Sequence, residues 1–330
     1  MLNRSDDMAL CLQCQRKATK LCQCGIAYCS SLCQAAAWSK HKRVCVGGKL
    51  VPTEMQDFWS TWKFASIKGE GGFGTVIVIQ RNEKKRALKL YGPRLPSEQI
   101  LNTVEIVRNL RQHCPSLLKY YGIYKIPIDS ELAKNLKYSW TDSYALMMEL
   151  IDGDTAEDIR GQKGVWREMK SEQSIYWPVR LFKEIGEQLQ CLHDNMLVHR
   201  DVKPGNIMMD QNQKWRLVDF DLLTKPYIFA GTSLYTVPLK MLAVSPSLDI
   251  QNDVWALATT VYAYMKGTSG LFLSALYEDE WDVLHSKTVA RQEEVLNESF
   301  FPEALNFQKR LKTALFLPET PLRTLLRGLN

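Results

Sequence analysis

The stretch His199-Arg200-Asp201-Val202-Lys203-Pro204-Gly205-Asn206 decides how the rest of the chain is read. Three of its polar residues have a plain chemical duty: Asp201 can accept the proton of a substrate hydroxyl, Lys203 can neutralise charge on a moving phosphoryl group, and Asn206 can ligate a magnesium ion. Upstream, Leu181, Ile185, Leu189 and Leu192 recur at helical spacing and predict an amphipathic helix from Val179 to Asp194. Downstream, past a hairpin centred on Asn212, the run Leu217-Val218-Asp219-Phe220 sets Asp219 at a strand end. A carboxylate there can hold a metal that bridges phosphates.

Working further back, Gly69-Glu70-Gly71-Gly72-Phe73-Gly74-Thr75-Val76 interrupts a strand-like segment running from Phe64 to Ile79. Glycines at Gly69, Gly71, Gly72 and Gly74 let two strands turn tightly and bring backbone N–H groups against phosphate oxygens. A Rossmann loop shares this pattern, but there a helix follows; here the next elements are another strand-like run, Val76 to Gln80, and then Arg86-Ala87-Leu88-Lys89-Leu90. Lys89 sits mid-strand among apolar residues and calls for an anionic partner. Ser97 is placed to cap a following helix whose apolar residues are Ile100, Leu101, Val104, Val107 and Leu110. Glu98, in its first turn, serves the helix dipole. Glu105, mid-helix, is the expected partner of Lys89.

These motifs, in this order, resemble the eukaryotic protein kinase domain from about Trp62 to Met265. The resemblance implies an α+β, bilobal fold with a β-rich N-lobe at about 62–148 and an α-rich C-lobe at about 152–325. It further implies Met148 as gatekeeper, Glu149 and Ile151 as backbone partners of adenine, and Val76, Ala87 and Met208 around the nucleotide. Asp253, in Asp253-Val254-Trp255, resembles the residue of a buried helix that braces the catalytic loop, and Lys203 is of the serine/threonine type. Two positions depart from the family. Asp221 stands where a glycine normally follows the metal-binding Asp-Phe pair, so a backbone at positive φ is expected to fall on an aspartate. Leu239 replaces a glutamate that forms an ion pair in the lower lobe.

Seven of the nine cysteines lie between Cys11 and Cys45, so the N-terminal segment is a unit of its own. Cys11-x-x-Cys14, Cys22-x-Cys24, Cys29-x-x-x-Cys33 and His41-x-x-x-Cys45 supply eight ligands in four close pairs, which suits two tetrahedral zinc ions. A segment this short cannot bury enough apolar surface to fold unaided. Structural zinc, at about 10 kcal/mol or more per ion, supplies that stability. Seven thiols cannot all pair with one another, and a histidine fills the eighth position, which speaks against a disulfide scaffold.

The order of these residues resembles the MYND-type zinc finger, with Tyr28-Cys29-Ser30, Cys33-Gln34, Trp38, His41-Lys42 and Cys45 as the later half, over residues 8–47. By that resemblance Cys11, Cys14, Cys29 and Cys33 share one ion, and Cys22, Cys24, His41 and Cys45 the other. It also implies a module that docks peptides of partner proteins.

The formal net charge of +6 is mild and the basic residues are dispersed, so nucleic acid is not an expected partner. The longest apolar stretch, Val254 to Met265, is too short to span a bilayer and reads as a buried core helix. Asp6 and Asp7 stand where an export signal needs apolar residues. The expectation is an intracellular enzyme, cytoplasmic or nuclear, without a membrane partner. It would use ATP, Mg2+ and two Zn2+ to phosphorylate Ser/Thr hydroxyls of proteins, with the finger recruiting partners. The alternative, on the strength of Asp221 and Leu239, is a pseudokinase scaffold in which both modules only bind.

Overall fold

Among the described residues, six strands form one sheet in the order β3-β7-β8-β6-β5-β4. They are β3 (Thr53–Glu54), β4 (Lys63–Gly71), β5 (Gly74–Arg81), β6 (Lys84–Gly92), β7 (Tyr120–Pro127) and β8 (Asp142–Met148). The computed structural model describes residues 20–21, 27–42, 51–71, 74–136, 140–161, 176–223, 248–266, 305–316 and 320–329. It divides into two units, Met1–Asp152 and Gly153–Asn330, and the sheet belongs to the first.

Strand alternation gives this sheet two apolar faces. Ile77, Ile79, Leu88, Leu90, Ala145 and Met147 fall on one of them, in a single buried cluster. Val76, Val78, Ala87, Lys89, Leu146 and Met148 fall on the other, because successive side chains on a strand point to opposite sides. Helix α2 (Phe58–Thr61) lies upstream of the strand where the sequence resemblance begins, and its Phe58 is fully buried in the cluster, joined there by Trp62. Trp59 Nε1 donates to Pro127 O at 2.7 Å, and Met55 N donates to Lys125 O at 3.0 Å. The segment ahead of the first long strand is therefore stitched to β7.

Helix α3 (Glu98–Leu110) starts as its sequence dictates: the Ser97 side chain accepts from Ile100 N, and Leu101, Val104, Val107 and Leu110 are buried. The polar stretch between β7 and β8 carries more structure than its composition suggests. Asp129 Oδ1 accepts from Leu132 N at 2.6 Å, capping a short helix, α4 (Ser130–Asn135), whose Leu132 is fully buried in the same cluster as Phe58.

The second unit is mainly helical. It contains α5 (Ala156–Gly161), α6 (Tyr176–Asp194), the hairpin β9 (Ile207–Met209) and β10 (Trp215–Leu217), then α7 (Leu248–Lys266), α8 (Leu305–Phe316) and α9 (Leu322–Leu326). Leu181, Ile185, Leu189 and Leu192 of α6 are fully buried, as their spacing predicts. Gln188 and Glu184 of α6 support the hairpin: Gln188 donates to Trp215 O at 2.9 Å and accepts from Leu217 N at 3.0 Å, while Glu184 accepts from Trp215 N at 2.7 Å. Helix α7 is buried from Gln251 to Tyr264, the core helix expected of the apolar run at 254–265. Among the described residues, no helix is long and apolar enough to cross a membrane. Near the N-terminus, β1 (Lys20–Leu21) pairs antiparallel with β2 (Ala27–Tyr28), and α1 (Ser31–His41) follows.

Candidate active site and zinc finger

In the second unit, Asp201, Lys203 and Asn206 form one hydrogen-bonded set. Asp201 Oδ2 lies 2.8 Å from Lys203 Nζ, and Asn206 Nδ2 donates to the same oxygen at 2.8 Å and to Asp201 O at 2.8 Å. A short 3-10 turn over Pro204–Asn206 places the asparagine, with its own N–H donating to Lys203 O at 3.0 Å. Asp201 and Asn206 are buried, so the carboxylate's orientation is fixed by these contacts.

The backbone beneath this set is held from α7. Asp253, fully buried, accepts from His199 N through Oδ2 and from Arg200 N through Oδ1, both at 2.8 Å. Arg200 sits at φ +72°, a left-handed conformation unfavourable to its side chain, so the two hydrogen bonds offset a local strain. A third donor, His193 on α6, brings Nε2 to 2.9 Å from Asp253 Oδ2. Burial alone would raise the Asp253 carboxyl, but the hydrogen bond and charge of His193, with the His199 contacts, outweigh it and hold it below the ordinary carboxylate range.

His199 connects this brace to the strand end that carries Asp219. Its ring is buried, which lowers its pKa against the opposing pull of Asp253, Asp201 and Asp219, and keeps it neutral. The neutral tautomer follows from its partners: Asp201 N donates to Nδ1 at 3.3 Å, so Nε2 carries the proton and donates to Val218 O at 3.2 Å. Its ring meets Phe220 edge to face at 5.1 Å. Val218 N in turn donates to Asn206 O at 2.9 Å, tying the strand end to the Pro204–Asn206 turn. Asp219 is the residue in the left-handed region, at φ +61°. Positive φ therefore falls on Asp219 and not on Asp221, so the left-handed conformation is carried by an aspartate two residues before the missing glycine.

In the first unit, the register aligns the residues expected around the nucleotide. Val76 pairs with Lys89, Lys89 with Leu146, and Ala87 with both Val78 and Met148. Val76, Ala87, Lys89 and Met148 thus share one face of the sheet. Lys89 is 6% exposed, with Nζ 5.8 Å from the Tyr91 ring centroid. Gly74 takes φ +133°, and a Cβ there would lie 2.1 Å from Leu90 O, so this position admits only glycine. Gly71 pairs with Gly74 and Gly69 with Val76 across the hairpin; a Cβ on Gly69 would meet nothing within 4 Å. Gly72 lies outside the described residues. Glu149 N donates to Lys119 O at 2.8 Å and its side chain accepts from Lys119 N at 2.7 Å; Ile151 is buried. In the second unit, Met208 pairs with Arg216 across the hairpin and bridges to Thr155.

Glu105 departs from expectation. Its carboxylate forms an ion pair with Arg108, Oε2 to Nη1 3.2 Å, one turn along α3, and this is the partner the structure gives it in place of Lys89. The physical reason is proximity: a side chain three residues on is reached at little entropic cost.

In the finger, Cys29 and Cys33 bring their sulfurs to 3.5 Å, and Cys33 N donates to Ser30 Oγ at 3.2 Å at the start of α1. Two thiolates on one tetrahedral zinc, each at about 2.3 Å from the ion, stand about 3.8 Å apart, so this pair fits a shared ion. Cys11, Cys14, Cys22, Cys24 and Cys45 lie outside the described residues, as do Leu239 and the His41 side chain.

The functional residue that sequence reasoning missed is His193. It ends the amphipathic helix among ordinary polar residues, and nothing in its spacing marks it as a partner of Asp253, sixty positions away.

The protein kinase domain model matches residues 62–313, and the MYND finger model matches residues 11–45. The chain belongs to the protein kinase family, on its serine/threonine side, and carries a MYND finger ahead of the kinase domain. That family takes ATP and a divalent metal, and a MYND finger takes zinc. It is 24% identical to the serine/threonine-protein kinase PEPKR2 of Arabidopsis thaliana over 76% of this chain and 50% of the relative. It is 29% identical to human Myosin-IIIa over 65% of this chain and 13% of the relative. With the probable serine/threonine-protein kinase nek2 of Dictyostelium discoideum it shares 27% identity over 59% of this chain and 46% of the relative. The chain thus spans half or less of the length of these relatives.

Proposed function

We propose that this protein transfers the γ-phosphoryl group of ATP to serine and threonine hydroxyls of intracellular protein substrates, and that its finger recruits peptide segments of partners. The observation that carries the reading is the shared oxygen of Asp201, held at 2.8 Å by both Lys203 and Asn206. A carboxylate fixed in this way can take the proton of an incoming hydroxyl, while Lys203 stands beside it to balance charge on the phosphoryl oxygens. Asn206 has committed its amide nitrogen to Asp201, which leaves its side-chain oxygen for a cation. With the Asp219 carboxylate this makes an oxygen donor set suited to Mg2+. The ion's contribution is to neutralise charge between phosphates. Lys89, buried on the face shared by Val76, Ala87 and Met148, suits the α- and β-phosphates, and the backbone of Glu149 and Ile151 suits the purine edge. Cys11, Cys14, Cys22, Cys24, Cys29, Cys33, His41 and Cys45 would hold two zinc ions.

The decisive experiment is phosphate transfer from ATP and magnesium to a generic basic protein, by the full-length chain and by Asp201→Asn. Transfer by the first and not by the second supports the enzyme. A wild type that is folded yet inactive and binds no nucleotide leaves the scaffold reading.

A further inference from the structure

The strands that carry the nucleotide-facing residues also carry, at alternate positions, the residues of the opposite face. Leu88 and Leu90 flank Lys89, Ile77 and Ile79 flank Val78, and Met147 precedes Met148. All five of these flanking residues belong to one buried cluster. What closes that cluster does not come from the sheet. Phe58 and Trp62 arrive from the segment between the finger and the first long strand, and Leu132 and Leu136 arrive from the connection between β7 and β8. Phe58 and Leu132 are fully buried, and Arg81 stacks its guanidinium 5.1 Å from the Trp62 ring centroid. The cap is anchored at the sheet edge by the Trp59 bond to Pro127 O and by β3 running parallel to β7.

We propose that Phe58, Trp62 and Leu132 are positioning residues for nucleotide binding, acting through the sheet on Lys89, Ala87 and Met148. The cluster is close-packed, so removing volume from it lets the strands that carry Leu88, Leu90 and Met147 settle into the space and shifts their neighbours on the other face. A strand has a period of two, which makes the displacement of one face a displacement of the other. The segment that follows the finger is thereby part of what shapes the ATP side of the sheet. This inference rests on the reading of that face as nucleotide-binding, given above.

The test uses the full-length protein. Phe58→Leu and Leu132→Ala remove volume from the two halves of the cap, and Leu132→Met keeps the volume at its site. Each is compared with wild type by thermal melt, by titration with a fluorescent N-methylanthraniloyl ATP, and by KM for ATP and kcat at a temperature well below every melting point. The expected result is a KM for ATP and an analogue Kd raised at least fivefold in Phe58→Leu and Leu132→Ala, a kcat within about twofold of wild type, and values close to wild type in Leu132→Met. Melting points that fall while Kd and KM stay at wild-type values would overturn the proposal and leave the kinase reading intact. A well-folded wild type that does not take up the analogue would overturn both. If Phe58→Leu does not fold, Leu132→Ala, which lies in a separate segment, decides by the same criteria.

Discussion

Arg200 stands in a left-handed backbone conformation, and its N–H reaches Asp253 Oδ1 at 2.8 Å. The turn that carries Asp201 is therefore held in shape from α7. Replacing Asp253 by alanine leaves two backbone donors and His193 without their acceptor in a buried site, at a cost of about 3–5 kcal/mol. The expected outcome is a large loss of stability in urea denaturation and, in whatever fraction remains folded, loss of phosphate transfer. Asp253→Asn should be milder in stability yet still impaired in transfer.

The pH dependence of folding follows from His199. Its pKa is lowered by burial, so below about pH 6.5 the unfolded chain binds a proton that the folded chain refuses, and stability falls as pH falls. The limiting slope from this one group is about 1.4 kcal/mol per pH unit. Asp253, held below its ordinary value of 3.8, contributes stability that is present above that pH and lost only as the pH drops through its folded value. Between pH 6.5 and 4, denaturation of the nucleotide-free protein should therefore show a falling limb that is shallower in His199→Phe.

Asp201→Asn should lower kcat by about 10²- to 10⁴-fold, the range of general-base contributions, with the melting point close to wild type. Lys203→Ala should lower kcat with a smaller effect on KM for ATP, measured in the same steady-state assay.

Two zinc ions per chain are expected by elemental analysis of the purified protein. Cys33→Ala should release one of them, because Cys29 and Cys33 already stand 3.5 Å apart at the head of α1. The kinase domain, which holds its own core, should keep its activity toward a generic substrate in that variant.

Gly74→Ala should weaken ATP use more than tenfold in kcat/KM. Its Cβ would be driven to 2.1 Å from Leu90 O, forcing apart the two strands that carry the glycine loop and Lys89. Gly69→Ala, at a position where a Cβ meets nothing within 4 Å, is the matched control with a smaller effect.

How far these features could be read from residues alone varies with the physics that fixes them. The catalytic stretch is readable because phosphoryl transfer dictates residue types at fixed short spacings, and α6 and α3 are readable because burial imposes a period and Ser97 imposes a start. The short α4 is harder: its six residues are too few to show a period, and only the Asp129 cap, three residues before Leu132, marks it. The two-residue β3 and the burial of Phe58 depend on a distant strand and leave no local signal. For Glu105 the residue type was informative but the partner was not, since Arg108 and Lys89 offer the same charge and only three-dimensional distance separates them. Likewise the sequence points to a strained backbone near Asp219-Phe220-Asp221, yet which residue turns left-handed is settled by the contacts of His199, Val218 and Asn206.

Near the other end of the kinase match, Gly186 on α6 leaves room for Leu326 of α9: a Cβ there would lie 2.6 Å from the leucine methyl. The family match stops at residue 313, but this seat lies beyond it. A version of the protein trimmed to the matched region would expose a greasy groove along α6, and a protease cutting ahead of Pro321 would do the same. Recombinant work on the catalytic part alone should therefore retain the stretch through Leu329.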